Sequence, residues 1–163
     1  MMPKSPKTVV HTLFTALEKL RSYCGYQERS QQEVRDKLYS LGMNKEEVEQ
    51  GLTALITEGF VNEGRFAEAY ARGKHRAKRW GRIKIRMGLK RHGVSDACIR
   101  RALESLDDSE YLATLRKLLD IKRKSLGGKD DFKTKQSLMR AGISHGFEPD
   151  LVGDCLRMDV DEN

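Results

Sequence analysis

One pattern occurs three times along this chain and limits its architecture more than any other feature. A glycine is followed by an apolar residue, then after four residues by Val or Ile, and after three more by Leu. The copies are Gly42-Met43 with Val48 and Leu52, Gly93-Val94 with Ile99 and Leu103, and Gly146-Phe147 with Val152 and Leu156. A glycine suits the left-handed position that closes a helix, because it has no Cβ to strain there. Asn44 and Ser95 then stand where an N-cap opens the next helix, and Pro149 stands at a first helical position, where a missing N–H is harmless. Each copy therefore predicts helix, tight turn, helix.

Helical spacing continues upstream of the glycines, in Val34, Leu38 and Leu41 and in Ile85 and Leu89. Ser30-Gln31-Gln32-Glu33 has the form of a capping box. Before the third glycine the apolar face is weaker, and Gly142-Ile143 is a rival alignment, although only Gly146 recovers the spacing to Val152 and Leu156. A longer amphipathic helix precedes each pair: Leu13, Ala16, Leu17 and Leu20; Phe66, Ala69, Tyr70 and Gly73; Leu112, Leu115, Leu118 and Leu119. Ile83 to Met87 alternates apolar and basic residues like a strand, but Leu89 at helical spacing and the repeat outweigh five residues of period two.

The expected fold is all-α, with three tandem three-helix repeats at residues 8–58, 62–106 and 108–158 forming an elongated, curved array. Breaks fall near Gly59–Glu63, Asp107–Ser109 and Gly127–Asp130. A hydrophobic fraction of 38% and a mean hydropathy of −0.65 agree with thin cores shared between neighbouring repeats.

Nothing apolar approaches the ~18 residues that span a bilayer, and Met1 to Lys7 lead into no secretion signal, so a cytoplasmic protein without membrane contact is expected. Cys24, Cys98 and Cys155 are odd in number and lack C-x-x-C spacing; they read as small buried hydrophobes. Gly59 to Gly64 has the opening spacing of a P-loop, but Arg65-Phe66 follow where Lys and Ser/Thr are required. The acid pairs Glu46-Glu47, Asp107-Asp108 and Asp130-Asp131 lie near helix starts, where the dipole favours them. His92 and His145 directly precede repeat glycines and read as helix C-caps. No metal, cofactor or catalytic group is predicted.

Charge is the second strong feature. The net charge is +7, but residues 61–106 hold thirteen Lys and Arg against four acids, and no acid occurs between Glu68 and Asp96. Ten basic residues are concentrated there: Arg72, Lys74, Arg76, Lys78, Arg79, Arg82, Lys84, Arg86, Lys90 and Arg91. On helices, Arg72, Arg76 and Arg79 share one face, while Arg82, Arg86 and Lys90 form a stripe beside Ile85 and Leu89. Most charge runs are only solvated faces, yet solubility does not require this many uninterrupted like charges, so a polyanionic or acidic partner is the better reading. Trp80, between the two faces, could stack on a base but reads better as a packing anchor.

These residues resemble the RecX family, bacterial regulators of the RecA recombinase. The resemblance rests on Leu55-x-x-x-Gly59-Phe60-Val61-Asn62, on Arg65-Phe66-Ala67-Glu68-Ala69-Tyr70 and on Lys78-Arg79-Trp80-Gly81-Arg82-Ile83-Lys84-Ile85-Arg86. It continues through Leu89 and Gly93-Val94-Ser95, and in the first repeat through Arg29 to Leu38. Arg82 stands where the family often has proline, Gly88 interrupts a helix, and the third repeat matches loosely. The resemblance implies three tandem three-helix repeats and a non-enzymatic monomer that binds the groove of the RecA filament on single-stranded DNA. Its implied effect is to lower RecA ATPase, strand exchange and stimulated repressor cleavage, in homologous recombination, DNA repair and the SOS response. Direct DNA binding by a helix-turn-helix is the alternative, although the helix after Gly93 supplies only Arg100 and Arg101 for base readout. A scaffold for an unrelated acidic protein is a third.

Overall fold

A computed structural model describes residues 9–161, with side chains through 157. Met1 to Lys7, discussed above, and Thr8, the predicted start of the first repeat, lie outside the described residues. The described chain is all helical: α1 Leu13–Tyr26, α2 Gln31–Ser40, α3 Lys45–Thr57, α4 Glu63–Lys78, α5 Arg82–Arg91, α6 Asp96–Glu104, α7 Asp108–Ser125, α8 Phe132–Ser144 and α9 Pro149–Asp161. The run from Ile83 to Met87 lies inside α5, so its alternation is incidental to the helix.

The repeated glycines do the same work three times. Gly42, Gly93 and Gly146 have φ of 89°, 74° and 90°. In each copy the following N–H returns to the carbonyl five residues earlier: Met43 to Leu38 at 3.2 Å, Val94 to Leu89 at 3.1 Å and Phe147 to Gly142 at 3.1 Å. This closure satisfies carbonyls that the helix end leaves open, and it turns the next apolar residue inward. Met43, Val94 and Phe147 are accordingly buried. The rival alignment on Gly142 fails because that residue is buried within α8, where an added Cβ would stand 2.7 Å from Cγ2 of Val152.

The helix starts follow their caps. Ser30 Oγ accepts from the Glu33 N–H at 3.0 Å, Asn44 Oδ1 from Glu47 N–H at 2.8 Å, and Ser95 Oγ from Cys98 N–H at 3.4 Å. Asp107 and Asp131 cap α7 and α8, so these acids sit at helix starts as expected. His92 and His145 are the C-cap residues of α5 and α8.

The chain divides after Phe66 into two compact units. In the first, α1, α2 and α3 pack on one another around Ala16, Leu20, Val34, Leu38, Val48, Leu52 and Leu55. An Arg21–Glu58 ion pair at 2.9 Å and an Arg35–Glu49 pair at 2.9 Å tie its helices at the surface. The second unit holds α4 from Ala67 onward and α5 to α9. Its core comprises Ala67, Ala71, Ile85, Leu89, Ile99, Ala102, Leu103, Tyr111, Leu115, Leu119, Leu138, Phe147 and Val152.

Two expectations change. The buried face of α4 is Phe66, Ala67, Ala71 and His75, whereas Ala69 and Tyr70 are half-buried and Gly73 is exposed. Three alanines at 67, 69 and 71 offered two stripes of nearly equal polarity, and the buried histidine made the true one look polar. Cys24 and Cys155 are buried, but Cys98 is only half-buried, because it lies in the first turn of α6 at the edge of the core.

Candidate functional site

The basic segment forms about the last two turns of α4, the connection Arg79–Gly81 and all of α5. Helical periodicity alternates its side chains between core and solvent: Ala71, His75, Ile85 and Leu89 go inward, and Arg72, Arg76, Lys78, Arg86, Lys90 and Arg91 are exposed. Lys74, Arg79, Arg82 and Lys84 are half-buried. Among the described residues, Arg82 is the only one of these ten that pairs with a carboxylate. The other nine positive charges lie on one helix-loop-helix with no counter-ion among the described residues, a local field suited to an anionic partner.

Arg82 leaves the surface stripe assigned to it from spacing. Its guanidinium lies 3.8 Å over the Tyr111 ring, donates to Asp108 Oδ1 at 2.9 Å and stands 3.6 Å from Glu148 Oε2. Its backbone N–H donates to the Tyr111 hydroxyl at 2.9 Å, and that hydroxyl donates to Glu148 Oε1 at 2.9 Å. Burial pushes the Tyr111 phenol far above its ordinary pKa, so it remains a neutral donor to the Glu148 carboxylate. The ring stacks on His75 with centroids 5.3 Å apart and touches Phe147 at 5.0 Å. His75 Nδ1 donates to the Trp80 carbonyl at 2.9 Å, which fixes the end of α4.

Backbone contacts lock this connection to the turn between α8 and α9. Gly81 N–H donates to His145 O at 2.7 Å and Ile83 N–H to Gly146 O at 3.0 Å, while His145 Nδ1 donates to Arg79 O at 3.3 Å. The approach is closer than any side chain permits: a Cβ on Gly81 would overlap the Gly146 carbonyl and the Phe147 nitrogen. Arg79 takes a left-handed φ of 52°, which turns the chain sharply into this contact. Local sequence patterns did not identify His75, Tyr111, Glu148 or the Gly81–Gly146 contact, since the partners that hold Tyr111 and the Arg79–Gly81 connection are 29 to 66 residues apart. The nearest available signal was the glycine following Trp80.

Trp80 is half-buried, with its ring held edge-on to Tyr70 at a centroid distance of 6.5 Å. Tyr70 also meets His92 edge-on at 5.4 Å. Burial raises the Tyr70 phenol above its ordinary pKa, with Arg91 opposing the shift. Gly88 has a reason here: a Cβ would collide with the Tyr70 hydroxyl, so the residue that weakens α5 makes room for the aromatic pair. Lys74, Lys78 and Lys84 place their ammonium groups 5.1, 5.7 and 5.0 Å from the indole centroid. The structure thus brings together three of the predicted basic residues around Trp80, while Arg82 is drawn away.

No group of three or more His, Cys, Asp or Glu that could hold a metal ion occurs among the described residues. No helix among them is long and apolar enough to cross a membrane.

A sequence model described as the second three-helix domain of RecX matches residues 62–103, the segment that carries the basic surface. A protein of Prosthecochloris aestuarii named regulatory protein RecX is 33% identical over 143 residues, which cover 86% of this chain and 91% of that protein. One of the same name from Clostridium perfringens is 29% identical over 131 residues, covering 79% of this chain. The matched region spans 61% of that longer relative. The crystal structure of RecX from Lactobacillus salivarius superposes with a TM-score of 0.80 at 20% identity, covering 90% of this chain and 95% of that one.

Proposed function

The chain belongs to the RecX family of regulatory proteins, and on that premise we propose that it binds the RecA filament on single-stranded DNA, in the filament groove. There it acts in the cytoplasm as a monomer that lowers RecA ATPase, recombinase and coprotease activities without catalysing a reaction. The observation that carries this reading is the surface of α4 and α5, where nine of ten basic residues have no carboxylate partner among the described residues. A groove formed by acidic protein side chains and DNA phosphates supplies the missing counter-charge.

The assay is DNA-dependent ATP hydrolysis by RecA, titrated with this protein at amounts well below RecA. Inhibition is expected at substoichiometric levels. Arg82 is unsuitable for the charge-reversal test, since it pairs with Asp108 and Glu148 and lies over the Tyr111 ring, so reversing it would disturb internal contacts as well as the surface charge. The combined variant Arg76→Glu, Arg86→Glu and Lys90→Glu changes exposed side chains, and it should lose inhibition while keeping its helical circular dichroism. Inhibition unchanged in that variant would remove the basic surface from the mechanism.

Direct sequence-specific DNA binding is less well supported. The second helix of the corresponding helix-turn-helix, α6, exposes Arg100 and Arg101 beside the acids Asp96 and Glu104, a mixed face poorly suited to a phosphate-lined groove.

A further inference from the structure

We propose that Trp80 and the lysines around it form a subsite for one nucleotide of a single strand, with the base stacked on the indole and its phosphates held by Lys74, Lys78 and Lys84. This deepens the filament-binding reading by assigning part of the basic surface to nucleic acid rather than to protein.

Three ammonium groups from two helices stand within 5.7 Å of one ring centroid. No carboxylate among the described residues pairs with any of them. Each of the three ammonium groups has a cation–π contact to the indole, and among the described residues none has an anion beside it. A phosphate beside the ring supplies that anion. Backbone donors do not compete for it: at the start of α5, Gly81, Arg82 and Ile83 already donate to His145 O, the Tyr111 hydroxyl and Gly146 O. The anion therefore rests on side chains with flexible stems, which can follow a phosphodiester.

The indole selects the chemical class. An acidic peptide would use the three charges and leave the ring idle, whereas a nucleotide presents a π face and a phosphate together. Trp80 is also rigid enough to serve as a platform. Its ring rests edge-on against Tyr70, which is seated over Gly88, and its carbonyl is held by His75. A single strand fits and a duplex does not, because paired bases have both faces covered by their neighbours.

Trp80 is the only tryptophan in the chain, so its fluorescence reads the site directly. The intact protein is titrated, without RecA, with an oligothymidylate of about ten nucleotides, with an abasic deoxyribose-phosphate strand of equal length, and with polyglutamate. Thymidylate should quench the emission, and the abasic strand should bind with little quenching. Replacing Lys74, Lys78 and Lys84 together by Gln should weaken thymidylate binding at least about tenfold and flatten the log-log salt dependence by about 2, at ~0.7 per lost phosphate contact. Equal quenching by thymidylate and the abasic strand would overturn the stacked base. Polyglutamate binding as tightly as thymidylate would assign the site to an acidic protein instead, and unchanged affinity in the triple variant would remove the lysines. The comparison of strands uses the unaltered protein, so it decides the matter even if the variant folds poorly. Because RecA is absent, failure here leaves inhibition of its ATPase to be judged separately.

Discussion

Replacing Gly81 with alanine should cost this protein far more than its conservative appearance suggests. The backbone at Gly81 has φ of −82°, which alanine adopts without strain, so any penalty is steric. The new Cβ meets the carbonyl of Gly146 and the nitrogen of Phe147, which are main-chain atoms that cannot rotate aside. Relief requires the connection before α5 to withdraw from the α8–α9 turn, stretching the hydrogen bonds from Gly81 to His145 and from Ile83 to Gly146. At ~1 kcal/mol for each bond and ~1–3 kcal/mol for overpacking, the loss is about 3–5 kcal/mol. For a chain of this size that lowers Tm by about 10 °C. Gly73→Ala is the internal control. It lies on the exposed side of α4 with nothing within 4 Å of a new Cβ, and should stabilise by ~0.5–1 kcal/mol through helix propensity. Urea titration followed by Trp80 fluorescence reads both variants in the unit that holds the contact. A Gly81→Ala loss below about 1 kcal/mol, less than the overpacking contribution alone, would refute the interlock.

Two further variants probe buried polar contacts. Tyr111→Phe removes the acceptor for the Arg82 N–H and the donor to Glu148, and should destabilise by about 1–3 kcal/mol in the same urea assay. Below the ordinary tyrosine pKa of 10.0 both folded and unfolded chains keep this proton; above it the unfolded chain releases it first, so stability should fall as pH rises, and Tyr111→Phe should show a shallower fall. Ser30→Ala deletes a buried N-cap of α2 and should cost the first unit ~1 kcal/mol, read as an earlier loss of helicity on heating.

Much of the helical framework could be read locally. A helix end needs a residue that tolerates positive φ and a following apolar residue to close it, and Gly42-Met43, Gly93-Val94 and Gly146-Phe147 meet both needs within two positions. The caps Ser30, Asn44 and Ser95 act on N–H groups three residues away, so they too leave a short-range mark. The inward face of α4 was harder to read: Ala67, Ala69 and Ala71 are nearly interchangeable by polarity, and the choice among them depends on what packs opposite. His75 stands between Lys74 and Arg76 in the sequence, yet it is buried against Tyr111 and Phe147.

What the sequence settled by itself was the helical order, the turns and the concentration of positive charge, because each depends on residues one to five positions apart and on composition. Tertiary structure decided which charges remain available. Arg82 pairs with Asp108 and Glu148, the latter 66 positions away, whereas Lys74, Lys78 and Lys84 converge on Trp80 with no carboxylate partner among the described residues. A charge's partner is set by distance in space, and folding brings acids from the third helical group to one member of a basic run and, among the described residues, to none of its neighbours.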